Sequence, residues 1–361
     1  MRDAPMMTVP GQAILRIDLG AIVANWRDLA RIHGAPAAAV VKADAYGLGA
    51  AAVGRALRDA GCASFFVAHL TEGLALREAI GPGADIAVLN GFPPGADDGA
   101  ALLPVLNHLG DVAAHARAGS AAILHLDTGM SRLGLDAREQ AVLAGDPALL
   151  GGIDLRFVMT HLACADEPDH ALNEAQRQRF AAAAARIAPG IPRSFANSSG
   201  IFLGAGFRSD LARPGCALYG INPTPGQPNP MRQVARVEAE VLQVRDIAAG
   251  DTVGYGASWT AAEPRRIATV AAGYADGYLR ALSGRSLGLL HGRAVPLVGR
   301  VSMDLMTFDV TDVPEARPGD RLLLIGGEGN TPDDIAARCG TIGYEILTSL
   351  GRRYARVHDG I

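Results

Sequence analysis

The chain has 361 residues, more than one ordinary core, which points to two domains or to one large barrel with an appendage. With 49% hydrophobic and 19% charged residues it can bury a sizeable core, and a formal charge of −4 gives no basic footprint for nucleic acid. No run of about 20 apolar residues offers a membrane span, and the start MRDAPMMTVPGQAIL lacks the basic-then-apolar order of a signal segment. Cys62, Cys164, Cys216 and Cys339 are scattered with no metal spacing, so a cytoplasmic protein with reduced thiols is expected.

The first apolar piece, AILRIDLGAI, can belong to either domain. From about residue 20 to 235, short apolar runs alternate with helix-like segments. The runs are AAAVV (37–41), FFVA (65–68), IAVLN (86–90), LLPVLN (102–107), AILHLD (122–127), RFVMTHLA (156–163), SFANS (194–198) and LARPGCALYG (211–220). Between them lie amphipathic pieces such as AAVGRALRDAG, TEGLALREAIG, DVAAHARAG and NEAQRQRFAAAAARIA. Apolar runs flanked by helices indicate parallel strands covered on their outer side. About eight such units predict an α/β fold, a (β/α)8 TIM barrel, whose chemistry sits at the C-terminal ends of its strands. A doubly wound open sheet is the alternative, but eight is the closing number and no GxGxxG follows the first strand.

NPTPGQPNPMR then reads as a connector. Beyond it VEAEVLQVRDI, RRIATVAAGYA, AVPLVGRVSMDLMTFDV and DRLLLIG alternate in the strand period, which predicts a mainly antiparallel C-terminal β-domain, and TPDDIAARCG reads as a capped helix. The expected domains are 12–230 for the barrel and 231–361 for the β-domain, with a first strand near 12–18 able to pair with the latter.

Lysine is very scarce in this chain, yet Lys42 stands at the end of the first barrel run, with Tyr46 four residues on. Taken alone it is either a snorkelling strand-end residue or a nucleophile; a half-buried amine there deprotonates readily and can form a Schiff base. Other strand ends add Asp127 and Arg132 in HLDTGMSRLG, His161 in MTHLACAD, Asn197 and Ser198 in FANSSG, and Arg213 in ARPGCALYG. Hydroxyls, a carboxamide and backbone N–H groups at the last strands make a phosphate site, and a strand-end lysine beside one suggests pyridoxal 5'-phosphate held as an aldimine.

This set resembles the alanine racemases. VVKADAYGLG resembles their cofactor-lysine motif, HLDTGMSRLG their substrate-arginine motif, and VGYGASW, GYADG and GRVSMD their β-domain motifs, in matching order over nearly the whole chain. The resemblance implies a homodimer that interconverts L- and D-alanine and supplies D-alanine for peptidoglycan. Lys42 would hold the cofactor and act as acid and base on the D face. Tyr255 would serve the L face, reaching in from the partner subunit. Arg213 would donate to the pyridine nitrogen and, being unable to give up its proton, keep that nitrogen unprotonated. Tyr46, Ser198 and the backbone near Gly215 would bind the phosphate and His161 would sit beside the ring; Asn197 and Cys216 complete the cofactor set. Arg132 and the Met303 N–H would orient the substrate carboxylate, and Tyr274 and Asp304 would shape the entrance. No metal is expected. Two bases are needed because racemisation removes a proton from one face and returns it on the other, and unperturbed pKa values of about 10.4 and 10 require tuning.

Two positions depart from the family. Many members carry a lysine, commonly carbamylated, two residues before the Asp of the DTGM run; here it is His125, which accepts one hydrogen bond but supplies no fixed anion. Arg132 is then expected to be supported by His125 with a water, a bound anion or another carboxylate. Near the end, Arg352 stands where a phosphate-binding tyrosine is counted, with Tyr354 two residues on, and either could serve. A broader amino-acid or serine racemase is the nearest rival reading. A non-catalytic pyridoxal-phosphate carrier and a lysine-type aldolase without cofactor are the others.

Overall fold

The computed structural model describes residues 13–93, 96 and 101–360; the expectation about residues 1–12 lies outside them. The described chain divides into two units, residues 20–232 and residues 13–19 with 233–360. The opening piece AILRIDLGAI is itself divided: strand β1 (Ala13–Asp18) pairs within the second unit, and a helix begins at Leu19 and runs to His33.

In the first unit seven parallel strands lie in chain order. They are β2 (Ala39–Val40), β3 (Ser64–Val67), β4 (Asp85–Val88), β5 (Leu103–Leu106), β6 (Ala121–His125), β7 (Asp154–Met159) and β8 (Arg193–Ser194). The eighth stave is Leu211–Ala212, which bridges Ser194 on one side and Ala37 on the other, so the sheet closes on itself. The Ala38 N–H donates to the Ala212 carbonyl at 2.8 Å and the Val40 N–H to the Pro214 carbonyl at 3.1 Å across that seam. The eight apolar runs correspond to these staves, although β2 and β8 are only two residues long.

Side-chain alternation divides the core in two. Ile123 on β6 packs inside the barrel with Val40, Phe66, Val105 and Met159, while its neighbour Leu124 packs outward against Phe180, Ala184 and Ile187. Each such buried side chain contributes roughly 1.5–3 kcal/mol. The outer layer includes helices Ala50–Asp59, Leu70–Ile80, Leu109–Ala118, Ala137–Gly145 and Ala171–Ile187. Helix Ala137–Gly145 was not among the expected pieces; Asp136 starts it, accepting from the N–H groups of Arg138 and Glu139 at 2.8 and 2.9 Å, while Glu139 accepts from the Asp136 N–H at 3.2 Å.

The second unit is a β-domain of β9 (Ala235–Ile247), β10 (Thr252–Val253), β11 (Trp259–Thr260), β12 (Arg265–Val270), β13 (Leu287–Leu290), β14 (Arg293–Pro296), β15 (Met306–Asp309), β16 (Arg321–Ile325) and β17 (Ala355–Asp359). Long β9 pairs antiparallel with β1, β12 and β16, and among the described pairs of this unit only β1 with β17 runs parallel. Helix Pro332–Cys339 starts at a capping box between Thr331 and Asp334. Among the described residues no helix is long and apolar enough to cross a membrane.

Candidate active site

Lys42 follows β2 directly and is the only lysine of the chain. The Val41 N–H still donates to the Phe66 carbonyl at 2.9 Å, so sheet pairing holds the strand up to the residue before it. Burial pushes the Lys42 amine below its ordinary pKa, the nearby Arg132 adds to that, and Glu72 opposes it. The next four residues, Ala43, Asp44, Ala45 and Tyr46, are left-handed, with φ between 52° and 57°. L-residues disfavour that region by roughly 1–2 kcal/mol each. Hydrogen bonds hold the turn: Ala45 N–H to Val41 O, Gly47 N–H to Ala43 O and Gly49 N–H to Asp44 O, each at 2.8 Å. The Asp44 carboxylate also accepts from the Ala50 N–H at 2.7 Å and so starts helix Ala50–Asp59. No local signal in KADAY announces this handedness.

The turn delivers the Tyr46 ring against Tyr219, centroids 4.8 Å apart, and its hydroxyl over Gly215. A Cβ at Gly215 would collide with that hydroxyl, so only glycine leaves this space. The Ser198 Oγ accepts from the N–H groups of Gly215 and Ala217 at 2.9 and 3.2 Å, which fixes the short helical turn Cys216–Tyr219. Tyr46, Ser198, Gly215 and Cys216 thus come together as one cradle. Asn197 works inside its own loop, accepting from the Gly200 N–H at 2.9 Å and donating to the Leu162 carbonyl at 3.3 Å.

Arg213 is buried, and among the described residues it meets no carboxylate. Its Nη1 donates to Ser194 Oγ and its Nη2 to the Thr160 carbonyl, both at 2.5 Å, which leaves Nε–H and one hydrogen on each terminal nitrogen unspent among the described residues. Burial lowers its pKa to about 10, still cationic at neutral pH. His161 is held well below its ordinary pKa by burial and then by Arg213, Arg132, His125 and Lys42, so it is neutral.

His125 is neutral too, pushed down to about 3 by burial first and the Arg213 charge second. Its Nδ1 lies 2.8 Å from Asn107 Oδ1. Both Asn107 Nδ2 hydrogens go to carbonyls, Leu89 and Val105, each at 3.0 Å, so Oδ1 can only accept and Nδ1 carries the proton. His125 Nε2 therefore carries the ring's lone pair. Asn107 and Ser194 went unnoticed in the sequence, since a lone polar residue in an apolar run carries no sign of its partner. Arg132 is exposed and unpartnered among the described residues. Its loop is held by Asp127, which accepts from the N–H groups of Gly129, Met130 and Ser131 at 2.9 to 3.2 Å. Gly134, at φ 101°, lets this loop close onto the His125 ring.

The remaining expected residues gather on the β-domain, described by itself. Tyr255, between β10 and β11, is 72% exposed and Met303 is 52% exposed. Gly254 and Gly256, flanking Tyr255, lie against Arg300. The Tyr274 N–H donates to Ser302 O and the Ala275 N–H to Met303 O, both at 3.0 Å, so these loops form one cluster. The Met303 N–H meets no acceptor among the described residues. Asp304 is paired with Arg353 Nη1 at 2.6 Å, and Arg353 Nε lies 3.0 Å from buried Asp276. Tyr354 is buried and its hydroxyl has no partner among the described residues, whereas Arg352 is exposed. Among the described residues no group of His, Cys, Asp and Glu could hold a metal.

The alanine racemase N-terminal domain family matches residues 17–223 and the alanine racemase C-terminal domain family residues 234–358. An alanine racemase of Acidiphilium cryptum (strain JF-5) is 56% identical over 95% of this chain and 98% of its own length. A catabolic alanine racemase of Mesorhizobium japonicum is 48% identical over 99% and 96%. The crystal structure of alanine racemase from Bartonella henselae with covalently bound pyridoxal phosphate superimposes with a TM-score of 0.92 at 41% identity, covering 97% of this chain and all of that one. With both halves matched and these identities across almost its full length, the chain belongs to the alanine racemase family.

Proposed function

We propose that this protein interconverts L- and D-alanine with pyridoxal 5'-phosphate, using Lys42 and the Tyr255 of a second copy as opposed bases. The observation that carries this reading is the barrel mouth itself: the chain's only lysine, amine pKa lowered, beside a cradle that a Cβ at Gly215 would fill and a buried guanidinium whose Nε–H is unspent among the described residues. These groups fit the cofactor. Lys42 would bind its aldehyde carbon, the backbone around Gly215 and Cys216 with Tyr46 and Ser198 its phosphate, and Arg213 its ring nitrogen. When bound, the cofactor supplies the electron sink that makes the α-proton of the amino acid labile.

The chain's residues do the rest. Lys42 Nζ, easily deprotonated, takes or returns the proton on one face. The Tyr255 hydroxyl does so on the other, and its exposure in a single copy fits a side chain that completes the site of another. Arg213, whose guanidinium does not release its proton, keeps the ring nitrogen unprotonated and so limits charge build-up on the ring. Arg132 and the Met303 N–H, which meets no acceptor among the described residues, orient the substrate carboxylate, and neutral His125 supports Arg132 through a water or a bound anion. Four free thiols fit a cytoplasmic enzyme, and we assign its D-alanine to peptidoglycan.

Proton NMR of L-alanine in D2O with the protein and added cofactor tests the reading. Loss of the α-proton signal with D-alanine appearing is the expected result, with L-serine at least about tenfold slower. No exchange with alanine would refute it, and restored growth of a D-alanine auxotroph tests the cell-wall role.

A further inference from the structure

Residues 43–46 are the longest run of left-handed non-glycine residues among those described, and they follow directly on Lys42. No hydrogen bond inside the turn takes the Ala43 N–H, the donor next to the lysine. Glu72, from the first turn of helix Leu70–Ile80, takes it: Oε1 accepts from the Ala43 N–H at 2.7 Å. Its other oxygen, Oε2, accepts from the N–H groups of Ala68 and His69 at 2.8 and 3.1 Å, immediately after β3. One carboxylate therefore joins the ends of two paired barrel strands, β2 and β3, through three backbone donors. An ionised carboxylate is acceptor-only and satisfies all three, whereas an amide would turn its NH2 toward at least one N–H.

We propose that Glu72 is a positioning residue for Lys42, its carboxylate clamping the left-handed turn at the Ala43 N–H to the end of β3 and so fixing where the Lys42 amine is delivered. The proposal rests on the reading of Lys42 as the cofactor-binding amine and deepens it. The same carboxylate also partly offsets the fall in the lysine's pKa. A capping residue serving only helix Leu70–Ile80 would need Oε2 alone.

Because Lys42 is the only lysine, its capture of cofactor is told apart from reaction at the terminal amine by mapping the labelled peptide. Full-length protein is mixed with pyridoxal phosphate and quenched at intervals with borohydride. The amine adds to the aldehyde carbon, water leaves, and hydride from borohydride reduces the C=N bond to a stable amine that mass spectrometry counts. Glu72→Gln is expected to slow capture about 10- to 100-fold and lower kcat per bound cofactor by a similar factor. KM for alanine should move less than about threefold. Adding Ala43→Gly, which adopts φ near 52° with no Cβ to oppose it, should restore capture to within about threefold of wild type. If Glu72→Gln lowers only the melting temperature with capture unchanged, or if Ala43→Gly recovers nothing, Glu72 is a helix cap and the proposal fails. Wild-type protein that captures no cofactor would instead refute the reading of Lys42.

Discussion

The barrel mouth and the β-domain loops treat their polar groups in opposite ways. At the barrel mouth most of them, Arg132 apart, are tied to one another: Arg213 to Ser194 and Thr160, His125 to Asn107, Ser198 to the N–H groups of Gly215 and Ala217. On the β-domain, Tyr255 and Met303 stand exposed and the Met303 N–H lacks an acceptor among the described residues. Groups already fixed by their own chain pre-organise a site, while exposed apolar side chains beside a free donor await something from outside. The barrel should therefore capture cofactor by itself, and inversion should need the β-domain loops as well.

The largest separation of the two comes from the two bases. Lys42→Ala should abolish both capture and racemisation, the latter by at least about 10^4-fold, measured by borohydride labelling and by the appearance of D-alanine. Tyr255→Phe should leave capture intact and cut racemisation by about 10²- to 10⁴-fold. Proton NMR in D2O should then show exchange on one face without inversion; loss of capture in that variant would sink the division of labour.

A smaller effect sharpens the view of the barrel mouth as a buried cation cluster. The His125 ring has a folded pKa of about 3 against 6.5 for an ordinary histidine, so below pH 6.5 the unfolded chain binds a proton that the folded chain refuses. Its contribution is complete above that pH and is lost on acidification at about 1.4 kcal/mol per pH unit until about pH 3. His161 and His33, also lowered, act in the same direction. His125→Gln should therefore lose about 2 kcal/mol less than wild type between pH 6.5 and pH 5 in urea unfolding. Equal losses would mean the ring is not held neutral. The smallest effect is that of bicarbonate: with His125 at this position and no lysine besides Lys42, adding it should leave kcat and KM unchanged, and a clear rise in activity would contradict the Arg132 support described above.

The barrel staves were legible because each is a run of apolar residues between amphipathic segments, and Lys42 because Arg132, His161, Ser198 and Arg213 stand at the ends of other such runs. The left-handed turn was not, since Ala, Asp, Ala and Tyr have no reason to leave the right-handed region until Glu72 and the strand ends hold them. Asn107 and His125 are 18 residues apart, and the bond that sets the tautomer arises only when β5 and β6 pair. Tyr255, Met303, Tyr274 and Asp304 came from resemblance alone; in pattern they are ordinary residues of turns and strands.

The central claim is that Lys42 of one copy works with Tyr255 of another. Co-expression of Lys42→Ala and Tyr255→Phe chains tests it most directly, since each mixed dimer would rebuild one intact site out of two. Random pairing predicts about a quarter of wild-type activity from two chains that are inactive alone. A mixture no more active than its parents, with mixed dimers confirmed by mass spectrometry, would show that both bases come from the same chain.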